Sequence, residues 1–313
     1  MKWTIHTLQV DAKNSKMRLD QYLAGAVSEL SRTKAKKIID LGGVHVNGRR
    51  VRSCSLSLSV GDSVEVYIDQ LPLEPYRIAE GDIVFQDKYV IVLNKPPQVD
   101  TQPTHARYKG TLYEALQWHL RDPFRLHKKA EIGMVQRLDR GTSGLIVFSI
   151  HPRAHKEMTR IFLEHVAQKG YLALVHNSPE VPQGEIHSFL ARSRKENRVK
   201  SVEKGGKEAV TRYKVVEQLG AYSFLQVEIL TGRSHQIRAH MAEQGCPLVG
   251  DVRYGGQKFV GEQQVDRPLL HAATLSFPHP VLEQTLDFTQ PLPGDMDDVL
   301  RQLRERNNDF SSH

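Results

Sequence analysis

The chain has 313 residues, of which 39% are hydrophobic and 25% are charged, a composition that excludes a disordered or fibrous protein and leaves room for a small and a large domain. Its net charge of +7 favours polyanionic partners, although many basic proteins bind none. Cys54 and Cys246 lie far apart without a nearby ligand cluster, so neither a disulfide framework nor a structural zinc site is expected.

The chain starts without an apolar stretch of signal-peptide length, and no run of about 18 apolar residues follows, so we expect a cytoplasmic protein without a membrane partner. Residues 17–69 then predict a compact α+β module, because apolar residues at helical spacing are followed by short strands and a hairpin turn. The predicted elements are a helix from Arg18 to Val27, a helix that Ser31 caps and Gly42-Gly43 ends, a strand from Val44 to Val46, an Asn47-Gly48 turn and a strand from Val64 to Ile68.

This module is strongly basic between Arg32 and Arg52, where the only acid is Asp40. One interpretation is a face that binds RNA phosphates, and the other is an ordinary solvated surface, which is the more common use of a charge run. The residues that we predict to bind RNA are Arg32, Lys34, Lys36, Lys37, Arg49 and Arg50.

Three motifs of the module resemble the ribosomal-protein S-four-like RNA-binding domain. They are Met17-Arg18-Leu19-Asp20-Gln21-Tyr22-Leu23, Ser31-Arg32-Thr33-Lys34-Ala35 and Gly43-Val44-His45-Val46-Asn47-Gly48. The resemblance covers residues 17–69 and implies that the basic face binds RNA.

Residues 70–81, with Pro72 and Pro75, are predicted to be a semi-stiff linker to a second domain over residues 82–300. Helices and non-adjacent strands mix there without a regular βαβ rhythm, which favours an α+β fold. The polar residues 301–313 are expected to form a tail that frays. The predicted elements are strands from Ile83 to Phe85 and Val90 to Leu93, a helix from Leu112 to Leu120, a strand from Leu145 to Phe148, a helix from Arg153 to Gln168, a strand from Tyr171 to Val175, strands near Tyr213 to Val216 and Phe224 to Ile229, and a helix from Ser234 to Gln244.

The most informative segment is Gln136-Arg137-Leu138-Asp139-Arg140-Gly141-Thr142-Ser143-Gly144, which runs directly into an apolar strand. It places an acid on a loop that enters the core. The neighbouring Arg137 and Arg140 should keep Asp139 ionised at neutral pH, as a nucleophile or base requires. The glycines allow close approach by a ligand. On composition alone, an aspartate that caps its own turn is slightly more common than a catalytic one.

The same segment closely resembles the signature of the RluA-type pseudouridine synthases, and other motifs of that family follow in order over residues 83–280. These motifs are Ile83 to Pro96, Lys169 to Leu174, Thr231 to His240 with Pro247 to Asp251, Leu270 to Ala272, and Phe277 to Pro280. The resemblance implies a mixed, largely antiparallel central sheet and a catalytic role for Asp139. Gln136 departs from the histidine usual in the family, and Pro97-Gln98 departs from the usual Ala-Gly or similar pair.

Conversion of uridine to pseudouridine breaks the bond from ribose to uracil nitrogen and joins carbon 5 to the sugar without net redox change, so we expect no cofactor. Asp139 could attack the anomeric carbon or remove a ribose proton, and the sequence leaves the covalent and the glycal-type route open. A uridine must first leave its stack at a cost of roughly a few kcal/mol, which stacking on an aromatic ring partly offsets. The resemblance gives this ring to Tyr171, and the alternative is an ordinary half-buried strand tyrosine.

The family's active-site arginine corresponds to Arg238, which could pair with Asp139 or with a phosphate; the alternative is a surface arginine without a role. The further residues that we predict to bind substrate are Arg137, Arg140, Arg233 and Lys95. His235 and His240 are five residues apart, not the four that stack two ligands on a helix face, so we expect no metal site.

The basic stretch from Arg192 to Lys214 either grips a phosphate backbone or is solvated, and the sequence favours neither. We predict a monomeric α+β enzyme that isomerises uridines in structured RNA, ribosomal RNA before transfer RNA. The competing hypothesis is a non-catalytic RNA-binding or ribosome-associated protein on the same scaffold. Asp139, Tyr171 and Arg238, each within its family motif, argue against it.

Overall fold

A computed structural model describes residues 3–125, 127–193 and 198–311, with the side chains of its last helix described as far as residue 307. The chain forms two compact units. The first contains Met1–Ile78 and Val99–Ala130, and the second contains Ala79–Gln98 and Glu131–His313. The chain therefore crosses from one unit to the other three times.

The first unit is built on a four-stranded antiparallel sheet whose apolar face packs on two helices. Its elements are β1 (Thr4–Gln9), α1 (Leu19–Ala26), α2 (Arg32–Leu41), β2 (Val44–Val46), β3 (Arg49–Val51), β4 (Ser63–Ile68) and α3 (Leu112–His119). The strand order is β1-β4-β2-β3, so β1, which precedes the predicted module, forms one edge of its sheet.

Local chemistry sets the boundaries in this unit. The Ser31 side chain accepts a hydrogen bond from the backbone N–H of Lys34 over 3.2 Å and caps α2. Gly42 ends the helix in the left-handed conformation, with φ of 91°. Asn47 and Gly48, with φ of 50° and 74°, form the turn between β2 and β3, as a tight two-residue hairpin requires. These three predicted signals are confirmed.

Residues 99–130 belong to the first unit, although we predicted them in the second domain. Arg107 donates two hydrogen bonds to the buried Asp69, from Nε over 2.9 Å and from Nη2 over 3.0 Å. The backbone N–H of Tyr108 also donates to the carbonyl of Leu41, at the end of α2, over 2.7 Å. A buried ion pair is stable only with both partners present, so this segment completes the unit.

The second unit is built on an 11-stranded sheet of order β11-β10-β12-β13-β9-β16-β8-β6-β5, with β17 beside β16 and β7 beside β8. The strands are β5 (Ile83–Gln86), β6 (Val90–Lys95), β7 (Gly133–Met134), β8 (Ser143–Ser149), β9 (Gln168–His176), β10 (Gln183–Ser193), β11 (Arg198–Ser201), β12 (Lys207–Leu219), β13 (Tyr222–Ile229), β16 (Leu270–Pro278) and β17 (Thr285–Thr289), and β14 (Phe259–Val260) pairs separately with β15 (Gln263–Gln264). The helices are α4 (Pro152–Leu163), α5 (Gln236–Glu243) and α6 (Gly294–Ser311). Within the described residues, β8 and β16 form the one parallel pair. The predicted α+β class is confirmed.

β8 lies in the interior of this sheet, between β6 and β16, and all of its residues are buried. Met158 and Ile161 of α4 pack against Val92 and Val147 in one apolar cluster. Because burial of apolar area is the main stabilising term in folding, this cluster fixes the start of β8. The loop over residues 136–142 is therefore attached to a rigid strand, β8.

α6 replaces the polar, frayed tail that we expected at the C-terminus. Met296, Val299, Leu300 and Leu303 repeat at helical spacing and are buried in one core cluster. The spacing starts ahead of the polar stretch, which contributes the exposed face of the same helix. Neither α6 nor any other helix in the described part of the chain has the length and apolar character needed to cross a membrane.

Replacement of Leu300 by alanine should lower the free energy of unfolding by about 2–5 kcal/mol, because a fully buried side chain leaves a cavity. The matched control Glu305→Ala, on the exposed face of α6, should change it by less than about 0.5 kcal/mol. Urea unfolding followed by circular dichroism measures both. Equal stability of Leu300→Ala and the wild type would show that α6 does not pack as described.

Candidate active site

A tight turn presents Asp139 ahead of β8. The backbone N–H of Thr142 donates to the carbonyl of Asp139 over 3.1 Å and closes the turn. The carbonyl of Arg140 accepts hydrogen bonds from the backbone N–H of Gln98 over 2.7 Å and from Nζ of Lys95 over 3.4 Å. Lys95 is fully buried. The end of β6 and the residues after it therefore support the turn from within the protein.

Gly144 allows the first residues of β8 to lie directly against β16. Its φ is +106°, and a Cβ atom here would lie 2.2 Å from the carbonyl oxygen of Ala272. In the adjacent pair of this parallel register, the hydroxyl of Ser143 lies 2.9 Å from Nδ1 of His271. The close approach that we predicted for a ligand is thus taken at Gly144 by the neighbouring strand.

Arg267 holds the same turn through a second carbonyl. Its Nη1 donates to the carbonyl of Gly141 over 3.0 Å, while Nε and Nη2 donate to Asp295 over 2.6 and 2.8 Å. Burial would raise the pKa of Asp295, but the hydrogen bonds from Arg267 outweigh it and lower that pKa. The first turn of α6 is therefore linked through Arg267 to the Asp139 turn.

Arg238 on α5 joins Asp139 to a second, buried carboxylate. Its Nε and Nη2 donate to Asp251 over 2.6 and 2.8 Å, and its Nη1 donates to Oδ2 of Asp139 over 3.1 Å. The guanidinium carbon lies 5.0 Å from the ring centre of Tyr254. Burial would lower the pKa of Arg238, but Asp251 and Asp139 outweigh it and raise that pKa. The guanidinium therefore stays charged between two carboxylates.

Two buried side chains fix α5 on the sheet. Nε2 of Gln236 donates to the carbonyl of Val210 and to the hydroxyl of Thr211, each over 3.0 Å. The two ring nitrogens of His240 lie 2.9 Å from the hydroxyls of Thr211 and Ser188, and burial lowers the pKa of His240. In the part of the chain that the structure describes, no group of three or more His, Cys, Asp or Glu side chains is placed to hold a metal ion.

His235, just before α5, faces Asp139 with a defined nitrogen. Its Nε2 lies 3.8 Å from Oδ2 of Asp139, and its Nδ1 lies 2.9 Å from the hydroxyl of Tyr254. That hydroxyl accepts from the backbone N–H of Val199 over 2.8 Å, which leaves its own hydrogen for Nδ1. Burial, opposed by the charge of Asp139 and aided by that of Arg238, lowers the pKa of His235. A neutral ring with its N–H on Nε2 therefore faces the carboxylate.

The Asp139 carboxylate remains accessible despite these contacts, since its side chain is 28% exposed. Oδ2 accepts the hydrogen bond from Arg238, whereas Oδ1 has no hydrogen-bond partner among the described residues. A carboxylate with a fixed orientation and one open oxygen can act as a nucleophile or as a base.

Tyr171 lies on β9, in register with Ala272, the residue of β16 that is also in register with Gly144. The side chain is buried, with 7% of the residue exposed. Burial, together with the charge of Asp139, raises the pKa of Tyr171, so its hydroxyl stays protonated. The fold therefore brings together Asp139, Tyr171 and Arg238, which come from three separate motifs.

Arg238, which we expected to pair with Asp139 or with a phosphate, pairs with Asp139, whereas its expected neighbour Arg137 has another partner. Nη2 of Arg137, which is exposed, donates to the hydroxyl of Ser234 over 3.1 Å. Arg238 supplies the hydrogen bond to the carboxylate instead.

The other cations predicted to bind substrate have different positions. Nε of Arg233 donates to the carbonyl of Glu208 over 2.7 Å. Arg140 has a partly exposed side chain and contributes its carbonyl to the turn. Lys95 is fully buried and its Nζ donates to the carbonyls of Pro96 and Arg140, so this structure does not present it to an RNA. Lys95 supports the turn instead.

A protein-family model described as RNA pseudouridylate synthase matches residues 89–243, and a model described as S4 domain matches residues 17–64. A protein of Chloroflexus aurantiacus named uncharacterized RNA pseudouridine synthase is 35% identical over 92% of this chain and 90% of its own length. The chain belongs to the RNA pseudouridine synthases. It is an isomerase of the RluA type with an N-terminal S4 domain, as its motifs predict.

Two further proteins resemble this synthase. Ribosomal large subunit pseudouridine synthase D of Zymomonas mobilis is 34% identical over 91% of this chain and 93% of its own length. The solved structure of human RNA pseudouridylate synthase domain containing 4 superposes with a TM-score of 0.57 at 22% identity, covering 71% of this chain and 92% of that one. The second likeness shows a shared fold.

The S4 domain of the synthase gathers cations around one buried acid. Asp20 is fully buried and accepts hydrogen bonds from Nε of Arg18 over 3.0 Å and from Nε of Arg32 over 2.9 Å, with Nζ of Lys36 at 3.9 Å. Burial would raise the pKa of Asp20, but the hydrogen bonds from Arg18 and Arg32 outweigh it and lower that pKa. Three half-exposed cations are therefore held together, Arg18 just before α1 and Arg32 and Lys36 on α2.

The other predicted RNA-binding residues of the synthase are used differently. Lys34 donates to the carbonyl of Glu29, Lys37 pairs with Glu74 over 2.7 Å, and Arg49 is exposed on β3. Arg50 is partly buried and donates to the carbonyl of Thr104 within the first unit, so it stabilises residues 99–130. In the basic stretch from Arg192 to Lys214, Arg194 and Lys195 lie outside the described residues.

Several residues of the site were missed as individual contributors, although all are close to recognised motifs. They are His235, Asp251, Tyr254 and Arg267. His235 and Asp251 stand inside the third motif, so their position in sequence was a signal. The spacing of residues in the sequence does not show which carboxylate pairs with which arginine, because the folded sheet brings these distant residues into contact.

Gly144→Ala should lower the stability of the synthase by at least ~2 kcal/mol and abolish its activity, because the new Cβ would overlap the carbonyl of Ala272 at a positive φ. Gly232→Ala is the matched control, since a Cβ there meets no atom within 4 Å. Thermal unfolding and pseudouridine formation measure the two effects. Normal folding and activity of Gly144→Ala would contradict the described packing of β8 on β16.

Proposed function

We propose that the synthase isomerises uridines in structured RNA, ribosomal RNA in the first place and transfer RNA as the alternative, through the Asp139 carboxylate and without a cofactor. The observation that carries this proposal is the open Oδ1 of Asp139, in a side chain oriented by Arg238. The ribosomal target is supported by the printed name of the Zymomonas mobilis relative, which acts on the large ribosomal subunit according to that name. Cytoplasmic localisation and a monomeric state stay predictions.

Isomerisation of uridine requires one correctly placed base or nucleophile from the protein. In the covalent route Oδ1 attacks carbon 1 of the ribose as the bond to uracil nitrogen breaks; in the glycal route it removes the proton from carbon 2. In both routes uracil leaves as an anion and turns. In the covalent route carbon 5 then attacks carbon 1 of the ribose and displaces Oδ1 of Asp139; in the glycal route carbon 5 joins carbon 1 while the Asp139 carboxyl returns the proton to carbon 2. Carbon 5 finally loses its proton and the ring nitrogen gains one. Atoms and electrons balance without a co-reactant.

Arg238 and His235 serve in this proposal to position the carboxylate. Arg238 is held by Asp251 on two nitrogens, which leaves its third nitrogen aimed at Oδ2 of Asp139. His235 presents an N–H to the same oxygen at 3.8 Å. Both groups lie on the Oδ2 side of the carboxylate and leave Oδ1 for the sugar.

Tyr171 and the exposed arginines would hold the extruded nucleotide. Tyr171 is in register with Ala272, which is in register with Gly144 after the Asp139 turn, so its ring can lie against a base whose ribose meets Oδ1. Arg137 and Arg140 flank the turn with exposed or partly exposed guanidinium groups, and Arg233 precedes α5. A phosphate on either side of the extruded uridine would have a cation within reach.

Asp139→Asn should lower pseudouridine formation by at least about 1000-fold, because the amide can neither attack the sugar nor take its proton. RNA affinity should change little, since the substitution keeps the size of the side chain. Wild type and variant are incubated with transcribed ribosomal and transfer RNA without added metal, and pseudouridine is detected chemically.

The matched control is Asp298→Asn, an exposed position on α6, which should behave as the wild type. An active Asp139→Asn protein would refute the role of the carboxylate. Binding of both RNAs by the wild type without any product would favour the non-catalytic alternative.

The double variant Arg32→Gln, Lys36→Gln should reduce the slope of log affinity against log salt by roughly 1.5, because two phosphate contacts release fewer counterions. The pair Arg32→Lys, Lys36→Arg keeps both charges and should keep the slope. RNA affinity of the full chain at several salt concentrations is the measurement. An unchanged slope in the glutamine variant would remove this face from RNA binding. Point substitutions are preferable to deletion of residues 1–70, since residues 99–130 fold with that segment.

A further inference from the structure

A second surface of the first unit combines exposed aromatic rings with unpaired cations. We define it as the α3 surface, formed by Trp118, Arg121, Phe124, Arg125 and Lys128; Arg77, which pairs with Glu114, borders it. Trp118 on α3 is 49% exposed, and the guanidinium carbons of Arg121 and Arg77 lie 3.6 and 5.1 Å from its ring centre. Phe124 is 94% exposed. These residues lie outside the α1 and α2 face and outside the Asp139 site.

The local acids do not neutralise this surface. Oδ1 of Asp122 accepts from the backbone N–H of Phe124 over 2.8 Å, and Glu114 accepts from the backbone N–H of Gly110 over 3.0 Å as well as from Arg77. In the described residues no acid pairs with Arg121, Arg125, Lys128 or Lys129. The surface therefore has several uncompensated positive charges within one short stretch.

The position of Phe124 is fixed although its ring is free. Asp122 holds the backbone N–H of Phe124 and, through its own carbonyl, that of Arg125 over 3.2 Å. Pro123 restricts the backbone between them. A large apolar ring that lies nearly fully in water next to cations is well suited to receive a flat partner.

We propose that the α3 surface binds an unpaired segment of the substrate RNA, with a base stacked on Phe124 and the backbone phosphates on Arg121, Arg125 and Lys128. This rests on the proposed function only in taking RNA as the partner. Stacking on an aromatic ring needs an exposed base face, which a duplex hides and a single strand offers. Cations on the same turn supply the charge complementarity to phosphates.

Single-stranded RNA fits this surface better than the other polyanionic or apolar partners. A duplex would use the cations and leave the Phe124 ring in water. A protein partner would have to supply several acids to match the unpaired cations around two rings. The Arg121 guanidinium stacked on Trp118 offers a second flat surface for a base in the same segment of the chain.

The test uses the full chain and two fluorescein-labelled probes, a uridine-rich single strand of about 12 nucleotides and an RNA duplex of the same length. Phe124→Ala should weaken binding of the single strand by at least about fivefold and that of the duplex by less than about twofold. Phe124→Trp should restore single-strand affinity, because a stacking ring is present again. Fluorescence anisotropy at fixed salt gives the affinities.

Val60→Ala, another highly exposed apolar position of the first unit, is the matched control and should bind both probes as the wild type. Arg125→Gln with Lys128→Gln should lower the salt slope for the single strand by roughly 1.4. Unchanged single-strand affinity of Phe124→Ala, or an equal loss on both probes, would overturn the proposal.

The same experiment separates this proposal from the catalytic one. Asp139→Asn should keep the single-strand affinity of the wild type, because the α3 surface does not include the carboxylate. If the wild type forms no pseudouridine while Phe124→Ala still weakens single-strand binding, the catalytic function alone is refuted. A fully active enzyme whose binding is indifferent to Phe124 would refute the α3 surface alone.

Discussion

The site depends on the placement of one guanidinium between two carboxylates. Arg238 uses two nitrogens on the buried Asp251 and one on the accessible Asp139. Removing a partner from a buried charge costs several kcal/mol, so each member of this chain of ion pairs fixes the next. The orientation of the Asp139 side chain is therefore set by α5 and by the turn after residue 250, not by its own sequence neighbours.

Buried cations also shape the turn itself. Lys95 and Arg267 are both buried from solvent. Lys95 donates to the carbonyl of Arg140, and Arg267 donates to the carbonyl of Gly141. Ammonium and guanidinium groups cost free energy to bury, and charge-assisted hydrogen bonds to backbone carbonyls offset part of it. Lys95 thus connects the turn to β6, and Arg267 connects it, through Asp295, to the start of α6. Rigid support of this kind keeps a catalytic group in place before substrate arrives.

Local signals in the sequence predicted local structure well. The Ser31 cap, the Asn47-Gly48 turn and the buried strand after Gly144 each depend on neighbouring residues, and each was found as expected. Contacts between distant segments were less predictable. Lys95 was taken for a substrate ligand because its exposure is decided by the fold, and α6 was missed because its apolar positions begin ahead of a polar stretch. The motif residues Asp139, Arg238 and Tyr171 converge because three separate strands and helices meet at one end of β8.

Residues 99–130 leave the second unit after β6 and return before β7, having completed the core of the first. The N-terminal unit is consequently not a cassette that can be cut off or exchanged at a single junction. Its buried Arg107 and Asp69 come from opposite sides of the predicted linker, so any graft has to carry both pieces of chain.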